Sequence, residues 1–167
     1  MSDTPPVTPT VTLDMLKAAF AMRAEAYARM YDVLSEEFGP ERAVELIGRA
    51  TRRMGEQMGE RFKGLGPDDL AGLKDAFLGG IPCGEEMFAP EVRRCDDEML
   101  EIKFHRCPLK DVWVANGRSD TDVRDLCRAA GAIDGGLFTT AGFTFLGETW
   151  RPGETGCCLL RVAPGGA

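Results

Sequence analysis

The sequence has a single histidine, His105, no C-x₂-C pair, no apolar run of membrane length and no surplus of positive charge. Each absence removes a class of function. Structural zinc sites favour closely spaced cysteine pairs, and Cys83, Cys95 and Cys107, twelve residues apart, match no ligand rule. No metal and no cofactor are therefore expected. A spanning helix needs roughly 20 apolar residues, which no stretch supplies. The net charge is −7. That speaks against nucleic acid, which demands a clustered positive surface, and against anionic membranes. The one basic run, Arg49, Arg52, Arg53, Arg61 and Lys63, is interleaved with Glu45, Glu56 and Glu60 and reads as a solvated helix face. The first residues lack the basic and apolar regions of a signal peptide. A cytoplasmic location is the expectation, and in a reducing compartment the six cysteines are free thiols.

What remains is an ordinary globular composition, 44% hydrophobic and 28% charged in 167 residues, which suits one domain with its own core. Residues 1–11, rich in proline, read as a disordered tail, and 12–163 as a single α+β domain. Thr12 is a good N-cap for a first helix in which Leu13, Leu16, Phe20, Tyr27, Tyr31 and Leu34 recur at helical spacing up to Phe38. Gly39-Pro40 ends it and opens a second helix to about Phe62. Gly48, Gly55 and Gly59 inside that helix each cost about 1 kcal/mol against Ala. Close packing against the first helix is the expected reason, and a face for another helix or subunit is the alternative. Pro67-Asp68-Asp69 opens a third, shorter helix through Phe77, and residues 81–95 read as irregular.

From Glu98 to Arg106 the chain alternates, with Leu100, Ile102 and Phe104 on one face, as a half-buried strand does. A short helix over about 109–116 follows. Ser119 then caps a helix expected to reach Asp134, where Gly135-Gly136 breaks it. Residues 142–150 and 157–162 read as an antiparallel pair around Pro152-Gly153. The expected fold is α+β: N-terminal helices followed by a small antiparallel sheet with an inserted helix.

The chemistry concentrates between Cys107 and Arg161. Cys127 and Asp134 are seven residues apart on one helix, which places them on one face, two turns and roughly 10 Å apart. Gly131 between them would leave a notch for a small ligand. A thiol and a carboxylate around a notch suit attack on an electrophilic carbon, with Cys127 as nucleophile and Asp134 handling protons. Arg124 and Arg128 are near enough in sequence to depress the thiol pKa. A free cysteine is also a common core residue, and that bland reading stands beside the catalytic one. On an alternating strand His105 points to the same side as Cys107, about 7 Å along, so a Cys–His pair is open, as is a surface histidine. Glu148 is a candidate buried carboxylate or a surface charge. Trp113 and Trp150 are candidate pocket walls or core.

The stretch Cys107-Pro-Leu-Lys-Asp-Val-Trp113, with Leu126-Cys-Arg128, Ile133-Asp134, Ala141-Gly-Phe143 and Glu148-Thr-Trp-x-Pro-Gly-x-x-Gly-Cys-Cys158, resembles the L-2-amino-thiazoline-4-carboxylic acid hydrolase family. Many members carry Cys-x-x-Asp, whereas Gly131 stands three before Asp134 here. The resemblance implies a hydrolase that opens a cyclic amidine such as 2-amino-thiazoline-4-carboxylate to a carbamoyl-cysteine. Cys127, Asp134 and Glu148 would be its catalytic groups. Cys107, Arg128, Trp113, Trp150, His105 and Cys157 would line the substrate site, with Arg128, Arg124 or Arg161 meeting the substrate carboxylate. The expected partners are a small-molecule substrate and further copies of the chain in a homo-oligomer. A different class is also open: Cys127-x-x-x-Gly131 with Gly153-Glu-x-x-Cys157 is similar to small-molecule-binding domains related to 4-vinyl reductases, which would make the site a sensor or carrier without turnover. A third is an interaction protein that uses the glycine-bearing second helix.

Overall fold

The computed structural model describes residues 10–166. Residues 1–9, most of the expected tail, lie outside the described residues. The element order is α1 (Leu13–Phe38), α2 (Pro40–Gly59), a 3-10 helix (Glu60–Leu65), α3 (Leu70–Gly79), α4 (Gly84–Met87), β1 (Pro90–Cys95), β2 (Leu100–Phe104), α5 (Pro108–Ala115), α6 (Asp120–Thr140), β3 (Thr144–Phe145) and β4 (Leu159–Ala163). This is an α+β fold with N-terminal helices and a four-stranded antiparallel sheet in the order β1-β2-β4-β3. Among the described residues, no helix is long and apolar enough to cross a membrane.

Local chemistry sets the helix ends. The Thr12 hydroxyl accepts from the Met15 backbone N–H at 3.2 Å, the Asp69 carboxylate from Gly72 at 2.8 Å and the Ser119 hydroxyl from Asp122 at 3.1 Å. Gly39, at φ +84°, turns α1 directly into α2.

Two expectations fail for one reason. The glycines of α2 do not face α1; they make the alternative, a face for another helix, and that helix is α6. A β-carbon at Gly55 would run into the Ile133 carbonyl, and one at Gly59 would come within 2.9 Å of the Thr140 side chain. From the other side, a β-carbon at Gly136 would lie 3.0 Å from the Glu56 nitrogen. Glycine on both helices lets the backbones touch. Gly135-Gly136 therefore sits inside α6, which continues to Thr140 instead of ending at Asp134.

The segment expected to be irregular, 81–95, contains α4 and the edge strand β1. Nearly all of β1 is exposed, so it lacks the alternation that marks a half-buried strand. In β2 and β4 the alternation is present. Leu100 faces Val162 and Ile102 faces Leu160 toward the core, while outside Glu101 accepts from Arg161 at 2.8 Å. Phe138 of α6 stacks on Phe145 of β3 and meets Phe77 of α3, which joins helices and sheet in one buried cluster. The strand expected over 142–150 is shorter, comprising β3 and a lone bridge from Glu148 to Leu159.

Candidate functional site

Where α1, α3, α5 and α6 meet the ends of β2 and β4, they enclose a cavity of about 250 Å³. Its walls are apolar: Phe20, Phe77, Ile81, Phe88 and Phe104 lead inward to Trp113. Phe88 packs on both Phe20 and Phe104, with ring centroids 5.9 and 5.2 Å away. The Trp113 indole N–H, which an apolar wall could not satisfy, donates to the Ala24 carbonyl at 2.8 Å and ties α5 to α1.

Four cysteines from three separate segments line this cavity: Cys107 at the N-cap of α5, Cys127 in α6, and Cys157 and Cys158 before β4. Cys157 is their hub. Its sulfur lies 3.6 Å from that of Cys158, and Cys107 and Cys127 line the same cavity. The neighbouring thiols favour a thiolate there. They hold the Cys157 thiol well below the ordinary cysteine range, and the nearby Lys110 ammonium helps. The nearness of Cys157, together with burial, pushes the other three thiols up. The expectation that Arg124 and Arg128 lower the Cys127 pKa is thus overturned: its thiol is raised and those arginines face elsewhere.

The hub is clamped by backbone. Cys157 N–H donates to the Phe104 carbonyl at 2.8 Å and Phe104 N–H to the Cys158 carbonyl at 3.0 Å. Lys103 Nζ reaches the Cys157 carbonyl and Lys110 Nζ the Gly156 carbonyl, each at 2.6 Å. Gly156 takes φ +75° close against the Phe104 carbonyl, a backbone conformation that favours glycine.

Two ionic groups join the thiols in the cavity, Asp134 and Arg23. Burial, and then the charge on Cys157, raise the Asp134 carboxyl to about 7, with Arg23 opposing. Arg23 donates to the Tyr27 hydroxyl from Nε at 3.2 Å and Nη2 at 3.1 Å, and lies over the Tyr27 ring. The site therefore holds a thiolate, a carboxyl that can exchange a proton near neutrality and one cation, all within aromatic walls. That set can bind an anionic or flat ligand and offer it a nucleophile and a proton.

Of the residues singled out in the sequence, Cys107, Trp113, Cys127, Gly131, Asp134, Cys157 and Cys158 line the cavity. The rest do not. His105 is exposed and bonds Glu91 at 2.7 Å, so no Cys–His pair forms with Cys107. Glu148 lies in a polar surface depression, paired with Arg151 and Arg161. Arg128 is held by Glu41 and Asp125 on the outer side of α6. Arg124 also pairs with Asp125, and Arg161 is held by Glu101. Trp150 is buried behind the loop, donating to the Glu154 carbonyl at 3.0 Å beneath the Lys110 ammonium. Thr149 packs against Gly131, its methyl standing where a β-carbon would go. Arg23 went unnoticed in the sequence. Arg23 had a signal, because it occupies a place in the apolar stripe of α1 between Phe20 and Tyr27. Among the described residues, no group of three or more His, Cys, Asp or Glu is arranged to hold a metal ion.

Residues 19–161 match the family model described as L-2-amino-thiazoline-4-carboxylic acid hydrolase. No curated protein matches the chain. Among solved structures, the fold is similar to trafficking protein particle complex subunit 3 from Naegleria fowleri, a protein covalently bound to palmitic acid. The TM-score is 0.57 at 11% identity, covering 90% of this chain and 97% of the other.

Proposed function

This chain belongs to the L-2-amino-thiazoline-4-carboxylic acid hydrolase family, and on that premise we propose that the cysteine-lined cavity hydrolyses a small cyclic amidine bearing a carboxylate. Membership brings a hydrolase-type function at the level of the family. The observation that carries the finer reading is the meeting of the Cys157 hub, Asp134 and Arg23 in one apolar cavity.

The roles follow from the chemistry. Arg23 takes the substrate carboxylate. The Cys157 thiolate attacks the amidine carbon, C2 of the ring, and forms a C–S bond. The C2 to ring-sulfur bond breaks, and the departing ring sulfur takes the proton of Asp134. The product of this step is an isothiourea on Cys157. Water then adds to the same carbon, Asp134 takes its proton back, and the Cys157 thiolate leaves. The net change is addition of one water to give a carbamoyl-cysteine. The three thiols around Cys157 stabilise it as attacking and leaving group. Cys127, the nucleophile favoured by spacing, becomes a positioning residue that donates to Cys157.

The test is mass-spectrometric turnover of L-2-amino-thiazoline-4-carboxylate by the purified chain. A gain of one water that is lost in Cys157→Ala and in Asp134→Asn, and partly kept in Cys127→Ala, is the expected result. Absence of product from folded protein would overturn the reading.

One observation favours a second reading, in which the cavity holds a ligand without turnover: its walls are almost wholly apolar. The structurally similar trafficking subunit is covalently bound to palmitic acid. Native mass spectrometry of the chain mixed with a fatty acid would detect such an occupant.

A further inference from the structure

Helix α1 is apolar on two sides. Its inner side supplies Ala24, Tyr27, Ala28 and Tyr31 to the core. Its outer side carries Met15, Met22 and Val33, which are 58%, 78% and 58% exposed, with exposed Ala18 and Ala26 between them. A surface helix ordinarily keeps one apolar stripe, turned to the core, so a second one marks a binding face. We propose that this outer face is the interface of a homodimer, in which two copies of α1 pack antiparallel about a two-fold axis at Met22.

The order of residues selects that partner and that direction. At about 100° per residue, Met15, Ala18, Met22, Ala26, Arg29 and Val33 stay within about 40° of one line down the helix. An interface between identical surfaces must be self-complementary. Reversing α1 about Met22 places Ala18 against Ala26, and Val33 against Val11, which stands exposed just ahead of the Thr12 cap. Small residues then meet on both sides of the Met22 pair and let the two helices approach. A stripe symmetric about its own centre is what a second copy of the same helix requires and what an unrelated partner does not.

Charge agrees with the direction. Arg29 is the charged member of the stripe; it pairs with Glu25 and Asp32 at the edge of α1, yet its side chain is 71% exposed. In the antiparallel pair it lies across Met15 of the second copy, stem on the thioether, with its guanidinium beside the exposed carboxylate of Asp14 there. Parallel helices in the same register would instead set Arg29 beside Arg29 and Asp14 beside Asp14. The stripe exposes on the order of 400 Å² of apolar area, within the range where a patch is often functional. Two such faces with their charged flanks bury about 1,000 Å² in total, where specific interfaces begin. The glycines of α2 offer no rival face, because α6 already covers them. Arg23 follows Met22 in the chain and lines the cavity, so pairing also braces the helix that carries the site cation.

The experiment is analytical ultracentrifugation of the full chain at micromolar concentration, where a dimer is expected. Met22→Glu sets two carboxylates at the axis and should give a monomer with unchanged circular dichroism, since Met22 takes no part in the core. Cross-linking reads the geometry in a chain with Cys83→Ser and Cys95→Ser, which removes the two exposed thiols. There Met22→Cys should form a disulfide-linked dimer on mild oxidation. Ala18→Cys should link only when mixed with Ala26→Cys. A monomeric parent chain, or a dimer that survives Met22→Glu, would overturn the proposal. Self-linking of Ala18→Cys would do the same, because it requires parallel helices.

Discussion

Gly55 of α2 rests on the carbonyl oxygen of Ile133 in α6, with no room for a β-carbon between them. The contact sits one residue before Asp134, so this close helix–helix approach also bears on where the site carboxyl stands. Gly55→Ala must push a side chain into backbone, which cannot give way as a flexible side chain can. A loss of roughly 3 kcal/mol is expected, at the upper end for overpacking. Gly79→Ala, at the end of α3 with nothing near it, is the control and should gain up to about 1 kcal/mol through the unfolded chain. Denaturant midpoints of the two variants test the contrast, and equal effects would contradict it.

The cation at the site is Arg23, not Arg128. Arg23→Gln should raise KM for a carboxylate substrate about tenfold or more, since a charged hydrogen bond is worth about 1.5–3 kcal/mol. Arg128→Gln loses partners that lie outside the cavity, exposed Glu41 and buried Asp125, and should leave kcat/KM close to that of the parent. Steady-state kinetics on the two variants separate the assignments.

Asp134 makes stability depend on pH in an unusual direction. Its carboxyl is raised from 3.8 to about 7, so the folded chain holds a proton that the unfolded chain has already released. Between these values the native state binds more protons, and stability falls as pH rises. The contribution is complete below the unfolded value and is lost through about pH 7. Asp134→Asn should flatten this part of the profile. Thermal midpoints across the window for both proteins give the answer, and parallel profiles would remove Asp134 as the cause.

Cys157 should outcompete the other cavity thiols for an alkylating agent. In a chain with Cys83→Ser and Cys95→Ser, iodoacetamide is expected to label Cys157 before Cys107, Cys127 or Cys158. An ordinary thiol ionises at about 8.5 and slows sharply on acidification, whereas the lowered Cys157 thiol should slow little. Peptide mapping against pH reads this directly. Preferential labelling of Cys127 would restore the nucleophile that spacing favours.

A separate buried network holds α1 to α6. The Tyr31 hydroxyl donates to Asp125 Oδ2 at 3.1 Å, and burial together with that carboxylate pushes the phenol up to about 12. Tyr31→Phe should cost about 1–3 kcal/mol, because Asp125, 1% exposed, loses a donor while Arg124 and Arg128 remain. Chemical denaturation measures it.

Much of the architecture was written locally. Thr12, Gly39, Pro40 and Ser119 announce helix ends through groups that bond within one turn. The alternation from Leu100 to Phe104 announces a strand through its own buried face. These signals need no distant partner, and so they could be read in order along the chain. The errors fall where a distant element overrides a local rule. Gly135-Gly136 looks like a helix breaker until Arg52 and Glu56 of α2 are found pressed against it. Strand β1 has no alternation because it is an edge exposed along most of its length.

The site divides in the same way. Spacing was enough to place Cys127 and Asp134 together on the cavity face of α6, because a helix presents residues seven apart on one side. Which thiol carries the charge was decided only when α5, α6 and the turn before β4 came together, since a thiolate is selected by the donors around it and those donors lie up to fifty residues away in the chain. Tertiary packing likewise chose Arg23 over Arg128: an arginine placed in an apolar helix stripe is turned inward with the stripe, while one beside Glu41 and Asp125 is neutralised outside.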